Sequence, residues 1–493
     1  MASSLASNSA LARNLLLGLP TEIIMLIIEH LDPQEIYSLL FVEPKFGFVQ
    51  SSTGWRMLPR RQRVSEICIS HNVKFGEMSI LTCAINNHDT NTVRRLLKEA
   101  TVIAKTSPLG PNVMQYASRF MWHKWLLGAV RKNQMHVLQA MLHTAGMESY
   151  LNEDRFIDDL LFEVAAEQGD TNMMKFLIEH GANPHTADLQ GFTPLLLAAS
   201  SDNMDAVTML VTQYNVECTV RDLFRSSALH YAIQNSNSNM ARLLLENGAQ
   251  TNVEDTAGYS PLSIAAEEGN VEILRLLLLH GADPNFIELG LLGPLGLSAR
   301  NGHEEVARIL LDETQANVNI RGLLGYTPFM EAVSNRHLDM IKIFIKSPLL
   351  NPNERNSMNE TALHVALVND PSLQTAELLL SVDGLRVDEQ DDREMTPLMI
   401  VLSYMFTSTN KARLMSFIKK LLATGQVDLN TSNSQGVSIL QCAIRTKYTE
   451  VVQLLLNTGK IDVTPEDVHL ASCLGYWEIY DMVMEAAGTR YLA

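Results

Sequence analysis

Few residues in this sequence are of types and in patterns that suggest catalysis or the binding of a metal or phosphate. Their spacing does not suit these functions. The segment "GHEEVA" (302–307) holds half of a zinc-protease helix, but Ala307 stands where the second histidine ligand would be needed. The spaced glycines of "GLLGPLG" (290–296) lack the Lys-Ser/Thr end of a phosphate-binding loop. The histidines and cysteines form no cluster with zinc spacing. We therefore expect a protein that is not an enzyme and that uses no cofactor and no metal.

The cysteines indicate a reducing compartment. There are five, they lie far apart, and they form no C-x-x-C pair: Cys68, Cys83, Cys218, Cys442 and Cys473. The first residues lack the basic region and long apolar core of a secretory signal. No apolar run approaches the roughly 18 residues that span a bilayer. We expect reduced thiols in a cytoplasmic or nuclear protein that does not enter a membrane.

Length and charge narrow the class further. A chain of 493 residues is too long for one compact core, which predicts several domains or a repeat array. A formal net charge of −17 disfavours binding to nucleic acid, whose phosphates are also negative. Residues 56–132 differ, with 13 Lys/Arg against 4 Asp/Glu and a net charge of +9. Two interpretations stay open for them: a solvated face beside an acidic array, or a docking patch for an acidic partner or for acidic neighbouring repeats.

One motif recurs with a period of 33–35 residues. It reads "GFTPLLLAAS" from Gly191, "GYSPLSIAAEEGN" from Gly258 and "GYTPFMEAVSN" from Gly325. Thr or Ser before Pro predicts a helix start, because the hydroxyl caps a free N–H and proline tolerates the first helical position. A second apolar stretch follows and ends at a glycine. The glycines of three such ends are Gly181, Gly248 and Gly281, and the anchors of seven copies are Thr193, Ser227, Ser260, Gly293, Thr327, Thr361 and Thr396.

Each copy therefore predicts a helix, a turn, a second helix and an extended connection, and only a stack of such units can bury its apolar faces. The period and the T-P-L-H-x-A core resemble the ankyrin repeat. The resemblance implies an all-α solenoid of about twelve helix-turn-helix units over residues 75–490. An insertion near residues 404–414 delays the next anchor to Ser438 and predicts a loop or a lengthened helix. The T-P-L-H histidine is structural in the family, and the sequence places it at His230, His364 and His469.

The resemblance also implies where a partner would bind. In ankyrin arrays the connecting fingers and the first helices form a concave face that binds proteins. The residue before each anchor lies near this face, and further apolar residues lie on the finger tips. Such residues either contact a substrate protein or pack between adjacent fingers, and both interpretations stay open. The predicted substrate-binding face consists of Phe192, Phe224, Tyr259, Leu292, Leu324, Tyr326 and Met395.

Residues 17–49 do not fit the repeat. Pro20 and Thr21 predict a helix start, and Asp32-Pro33 end this helix and cap a second one. The centre of the first helix, "IIMLII" (23–28), is apolar on every face. A unit this small rarely has a sufficient core of its own, so we expect another surface to cover it.

This segment resembles the F-box, which opens with Leu-Pro and an acidic residue and continues with two apolar helices. The resemblance implies docking on a Skp-type adaptor of a cullin–RING ubiquitin ligase. The alternative is a capping element at the open end of an ankyrin scaffold that has no ubiquitin function. The predicted domains are a disordered N-terminus (1–14), an F-box-like domain (15–55), a basic linker (56–74) and the array with its C-terminal capping unit (75–493). The adaptor-binding positions are Leu19, Pro20, Glu22, Ile23, Ile27, Ile28, Leu31, Ile36, Leu39 and Val42.

Overall fold

A computed structural model describes isolated residues between 84 and 97, Val164, and residues 119–143, 169–287, 292–322, 324–405 and 411–491. The described residues form 21 helices and no strand. They belong to two compact units, Met1–Leu223 and Phe224–Ala493. The residues predicted to form the F-box-like domain lie outside the described part of the chain.

In the first unit, α1 packs against α2, α3 packs against α5, and α4 packs against α5. The bounds of these helices are α1 Arg119–Arg131, α2 Met135–Leu142, α3 Thr171–Glu179, α4 Pro194–Ser200 and α5 Met204–Thr212.

The second unit consists of eight helix pairs. Their first helices are α6 Ala228–Gln234, α8 Pro261–Glu268, α10 Pro294–Asn301, α12 Pro328–Ser334, α14 Ala362–Asn369, α16 Pro397–Met405, α18 Ile439–Arg445 and α20 Pro465–Cys473. Their second helices are α7 Ser238–Glu246, α9 Val271–Leu279, α11 Glu304–Glu313, α13 Leu338–Ile345, α15 Gln374–Leu379, α17 Lys411–Ala423, α19 Thr449–Leu456 and α21 Trp477–Tyr491.

The first helices begin where the repeated motif predicts. Thr327 is the N-cap of α12, and its hydroxyl oxygen accepts a hydrogen bond of 3.2 Å from the N–H of Met330. Ser260 caps α8 in the same way through Ser263, at 3.2 Å. The glycines predicted to follow the second helices adopt the left-handed conformation, as Gly281 does with φ +81°. The structure therefore confirms these helix starts and ends, which were predicted from local sequence alone.

The core of the second unit forms between successive pairs. Helix α8 packs against α10, α10 packs against α12, and the second helices α9, α11 and α13 pack in the same order. Alanines such as Ala265 and Ala266 are fully buried, and their small side chains permit close approach of neighbouring helices. Each pair thus buries its apolar face against the next one, which is the arrangement expected of a repeat protein.

We call the connections between pairs fingers, and several of them are held by an Asp or Asn near the tip. In the finger before α8, Asp255 Oδ1 accepts hydrogen bonds from the N–H groups of Ala257 and Tyr259, both at 2.9 Å. Asp391 does the same before α16, at 2.8 Å to Arg393 and Met395. These side-chain hydrogen bonds stabilise a turn at the finger tip and fix the backbone of the residue that precedes the anchor.

Two predictions about individual segments can be compared with the structure. The insertion is followed by a lengthened helix, because α17 has 13 residues, and residues 406–410 before it lie outside the described part. The placement of His469 at the T-P-L-H position was wrong. Asp467 occupies that position, and its Oδ2 accepts hydrogen bonds from the N–H and hydroxyl of Thr464 at 2.8 and 2.9 Å. His469 lies two residues later, with Nε2 3.4 Å from Cys473 Sγ.

Candidate protein-binding face

Four of the seven residues predicted to bind a partner line a single pocket in the second unit. Tyr259, Leu292, Leu324 and Tyr326 surround an open space of about 140 Å³ on the side of α8, α10 and α12. Leu324 lies on a finger tip with 65% of its surface exposed. The structure therefore brings together residues that are up to 67 positions apart in the sequence, from 259 to 326. We call this space the tyrosine pocket.

The backbone of Tyr259 is fixed by three contacts. Its N–H donates to Asp255 Oδ1, and its carbonyl oxygen accepts from the N–H of Asp255 at 3.0 Å. The same carbonyl accepts from Nε2 of His230 in the preceding pair at 3.2 Å. His230 is fully buried, and its Nδ1 accepts from the N–H of Ser227. The structural histidine therefore positions the tyrosine of the next finger.

Tyr326 is positioned by glycines where several other fingers use an Asp or Asn. Gly322 holds the position that Asp255 occupies, and its N–H donates to the Tyr326 carbonyl at 3.0 Å. Gly325 has φ +71°, and a Cβ atom there would lie 2.8 Å from the backbone N of Ser357 in the next finger. Only a residue without a side chain fits this approach. The two glycines thus bring Tyr326 close to its neighbouring finger.

Leu292 lies beside a glycine, Gly296, in a pair that holds glycines at two positions of the motif. Gly293 stands where other pairs have a Thr or Ser N-cap, and Gly296 stands at the position of His230 and His364. A Cβ atom on Gly296 would lie 3.1 Å from Leu292 Cδ2. The pair that departs most from the T-P-L-H motif is therefore the one that contributes Leu292 to the pocket.

Arg300 and Glu331 form an ion pair in the lining of the pocket. Nε and Nη2 of Arg300 donate to the two carboxylate oxygens of Glu331 at 3.1 and 3.2 Å. Glu331 is buried, whereas the Arg300 side chain is half-exposed. These hydrogen bonds raise the pKa of the guanidinium. The bidentate geometry fixes both side chains and joins α10 to α12.

Carboxylates act on both tyrosine rings. The Tyr259 hydroxyl donates to Glu267 Oε1 at 3.3 Å. Burial, followed by Glu267, raises the pKa of the Tyr259 phenol. For Tyr326, burial and then the charge of Glu360 raise the phenol pKa. Both hydroxyls therefore remain protonated at neutral pH.

The other three predicted residues do not line the tyrosine pocket. Phe192 belongs to the first unit and is half-buried, with its N–H donating to Asp188 Oδ1 at 2.8 Å. Phe224 is 58% exposed at the start of the second unit. Met395 contacts the following finger, because Asn433 Nδ2 lies 3.5 Å from its Sδ. Met395 therefore makes a contact between adjacent fingers.

Sequence reasoning missed Arg300, Leu297 and Glu331, although a signal was present. Glu331 stands four residues after its anchor, where the pairs on either side carry Leu297 and Val365. An acidic residue at a position that is apolar in the other repeats predicts a buried partner of opposite charge. The bidentate bond from Arg300 supplies that partner.

Two residues of types that could suggest catalysis, a histidine and a cysteine, lie in structural environments. His303 of "GHEEVA" precedes α11, and its Nε2–H donates to the Glu267 carbonyl at 2.8 Å. Burial raises the pKa of the Cys218 thiol to about 11, so it is protonated at neutral pH. Within the described part of the chain, no group of three or more His, Cys, Asp or Glu side chains could hold a metal ion. Among those residues there is also no helix with the length and apolar character needed to cross a membrane.

The helix pairs are capped, pack in series and are joined by hydrogen-bonded fingers. These features define a helical repeat protein, and the tyrosine pocket lies on one of its faces. A family model of ankyrin repeats matches residues 126–222, 214–288, 295–391 and 374–467, which together are more than half of the chain. The chain therefore belongs to the ankyrin-repeat family. Ankyrin repeats are protein–protein interaction modules. The matched residues begin at 126, so the F-box-like segment lies outside them.

Proposed function

We propose that this chain is a non-catalytic adaptor that holds a partner protein on its ankyrin repeats and presents it to a ubiquitin ligase. The N-terminal segment would dock on a Skp-type adaptor of a cullin–RING complex. Ubiquitin transfer would be carried out by other subunits, and this chain would contribute proximity alone. Such a protein acts in the cytoplasm or the nucleus.

The tyrosine pocket carries the partner-binding half of the proposal. Exposed or half-exposed Tyr and Leu side chains converge on it, and aromatic residues in a pocket are typical anchors of protein interfaces. Its walls come from first helices and fingers that are fixed by caps and turns. A rigid face of this kind binds a partner without the entropy cost of ordering loops.

The F-box resemblance supports the ligase half. The helix predicted over residues 20–31 is apolar on every face at its centre. We therefore expect the surface of another protein to cover it, whereas the repeats cover one another. The observation that would favour the alternative, a scaffold with residues 17–49 as a cap, is a loss of array stability when they are removed.

Site-specific photo-cross-linking tests the partner-binding half. A benzoylphenylalanine at position 324 replaces an exposed finger-tip leucine of the pocket, and one at position 279 replaces an 80% exposed leucine at the end of α9. We expect a cross-linked partner from position 324 and none from position 279. Equal products from both positions would count against a specific face.

Co-expression with a Skp-type adaptor tests the ligase half. Ile23→Asp places a charge in the predicted adaptor-binding helix, and Leu189→Asp changes a fully exposed finger-tip residue as the control. We expect the adaptor to co-purify with the wild type and with Leu189→Asp but not with Ile23→Asp. If the adaptor fails to co-purify with the wild type, the ligase role is wrong.

A further inference from the structure

We propose that the tyrosine pocket receives an arginine or lysine side chain from a short segment of the partner protein. The inference rests on the proposed function, because it assigns a chemistry to the partner that the face would hold. Two features of the pocket, its charge and its aromatic rings, favour a basic side chain over an acidic or apolar one, and its size suits a single side chain.

Negative charge dominates around the pocket. Glu331 lines it, and Glu267 accepts the hydrogen bond of Tyr259. Arg300 is a cation in the lining, but two of its N–H groups donate to Glu331, so these two charges largely offset each other and Glu267 is the remaining carboxylate beside the pocket. Residues 254–331, which include the pocket, carry 12 Asp/Glu against 4 Lys/Arg, a net charge of −8 within a chain of −17. A cation gains from this field and an anion is repelled by it.

Two tyrosine rings supply a second attraction. Tyr259 and Tyr326 are both half-buried and both line the pocket. A guanidinium or ammonium group over an aromatic face is attracted by the negative side of the ring quadrupole. Leu292, Leu297 and Leu324 complete the lining and can contact the aliphatic stem of the same side chain. Aromatic faces for the charged end and leucines for the stem match the amphipathic character of arginine and lysine.

The size of the pocket suits one side chain. Its volume of about 140 Å³ is well below the roughly 300–1,000 Å³ of sites that enclose a drug-sized ligand. It is partly open, and finger residues such as Gly258 and Leu324 line it, so an extended segment can pass over it. We therefore infer that one basic residue anchors the segment and that neighbouring residues contact the fingers.

Three pools of short random peptides test the inference on the full-length chain. The pools have the same length and a fixed central Arg, Leu or Glu, and binding is followed by fluorescence anisotropy. We expect the Arg pool to bind about tenfold more tightly than the Leu pool, as a desolvated cation–π contact allows, and the Glu pool to bind most weakly. Binding of the Arg pool should also weaken as salt is raised.

Two variants assign the binding to the pocket. Tyr326→Leu keeps apolar volume but removes a ring, and Glu267→Gln removes a charge while keeping a hydrogen-bond acceptor for Tyr259. We expect each to weaken the Arg pool several-fold and to leave the Leu pool unchanged. Tyr404→Leu changes a 39% exposed tyrosine on α16, outside the pocket, and should have no effect. Thermal unfolding of each variant shows whether it is folded.

The outcomes separate this inference from the proposed function. If the Leu or Glu pool binds most tightly and Tyr326→Leu abolishes that binding, the face binds a partner but the basic anchor is wrong. If the Arg pool is bound equally by the wild type and both pocket variants, the inference is overturned. If the wild type binds no pool, both the inference and the partner-binding face are overturned.

Discussion

Asp388 accepts a hydrogen bond of 2.8 Å at Oδ2 from the backbone N–H of Asp428, while its Oδ1 is buried without a hydrogen-bond partner. Asparagine holds the corresponding place in five other fingers. There its Oδ1 accepts from a backbone N–H of the next finger and its Nδ2 donates to a carbonyl two residues earlier. These asparagines are Asn252, Asn285, Asn319, Asn353 and Asn430. Asp388 makes half of this contact because an ionised carboxylate has no proton to donate.

Asp388→Asn should therefore stabilise the protein at neutral pH. Burial raises the pKa of Asp388 from 3.8 to about 6. Between these values the folded protein keeps the proton and the unfolded chain loses it, so this aspartate reduces stability as pH rises through the window. We expect a higher Tm for Asp388→Asn than for the wild type at pH 7.5, with the difference shrinking toward pH 4.

Asp339→Asn is the control for this comparison. Asp339 is exposed, and its hydrogen bond and ion pair with Lys342 at 2.8 Å lower its carboxyl pKa. Removing its charge should give no gain in Tm at any pH. Equal Tm values for the wild type and Asp388→Asn at pH 7.5 would contradict the role assigned to the buried Oδ1 atom.

His364 should make the protein less stable in acid. It is fully buried, Nδ1 accepts from the N–H of Thr361 at 3.2 Å, and Nε2 contacts the Met395 carbonyl at 3.1 Å. Burial lowers its pKa below the usual 6.5. As pH falls below 6.5 the unfolded chain gains a proton that the folded protein resists, so stability is lost.

His364→Gln separates titration from capping. Glutamine at this position can still accept from the N-cap N–H, as in a capping box, but it does not titrate. We expect the drop in Tm between pH 7.5 and pH 5.5 to be smaller in this variant than in the wild type. An identical drop would show that His364 does not contribute to acid sensitivity.

Arg300→Met should cost about 1–2 kcal/mol of unfolding free energy, because it leaves the buried carboxylate of Glu331 without its bidentate donor. Arg308→Met is the matched control. Arg308 pairs with Glu304 at 3.6 Å, both side chains are about half-exposed, and such pairs contribute less than about 1 kcal/mol. Urea unfolding of the two variants compares them. Equal losses of unfolding free energy in the two variants would mean that the burial of Glu331 does not strengthen its ion pair with Arg300.

Gly325→Ala should destabilise the protein more than Gly436→Ala. The two glycines hold the same position in their fingers and have similar φ values of +71° and +73°. A Cβ atom at position 325 would lie 2.8 Å from Ser357 N, whereas one at 436 would meet nothing within 4 Å. We expect an additional loss of roughly 1 kcal/mol or more at position 325, measured by urea unfolding. Similar losses would show that the finger can shift without cost.

Much of this fold follows from local sequence, and the pocket does not. Caps such as Thr327 and left-handed glycines such as Gly281 act within a few residues, so the helix bounds could be predicted. His469 was misplaced because a histidine near the motif was preferred to Asp467, which makes the same capping contact. Residues that precede the anchors were identifiable by their period.

The convergence of the pocket residues depends on contacts between pairs. Arg300 and Glu331 meet because α10 packs on α12, and no periodicity in the sequence indicates that partnership. The exposed part of a repeat face is free to differ between units, so a pattern shared by all units does not describe it. Departures from the motif, such as Gly293, Gly296 and Glu331, mark the site better than agreement with it.

The most direct test of the adaptor account is quantitative mass spectrometry of proteins that co-purify with the full-length chain. The wild type, Ile23→Asp and Tyr326→Leu are compared in the same cells. We predict that a Skp-type adaptor and a cullin are lost with Ile23→Asp alone, and that a separate partner protein is lost with Tyr326→Leu alone. Absence of the adaptor and cullin from the wild-type sample, or retention of every protein by both variants, would contradict the account.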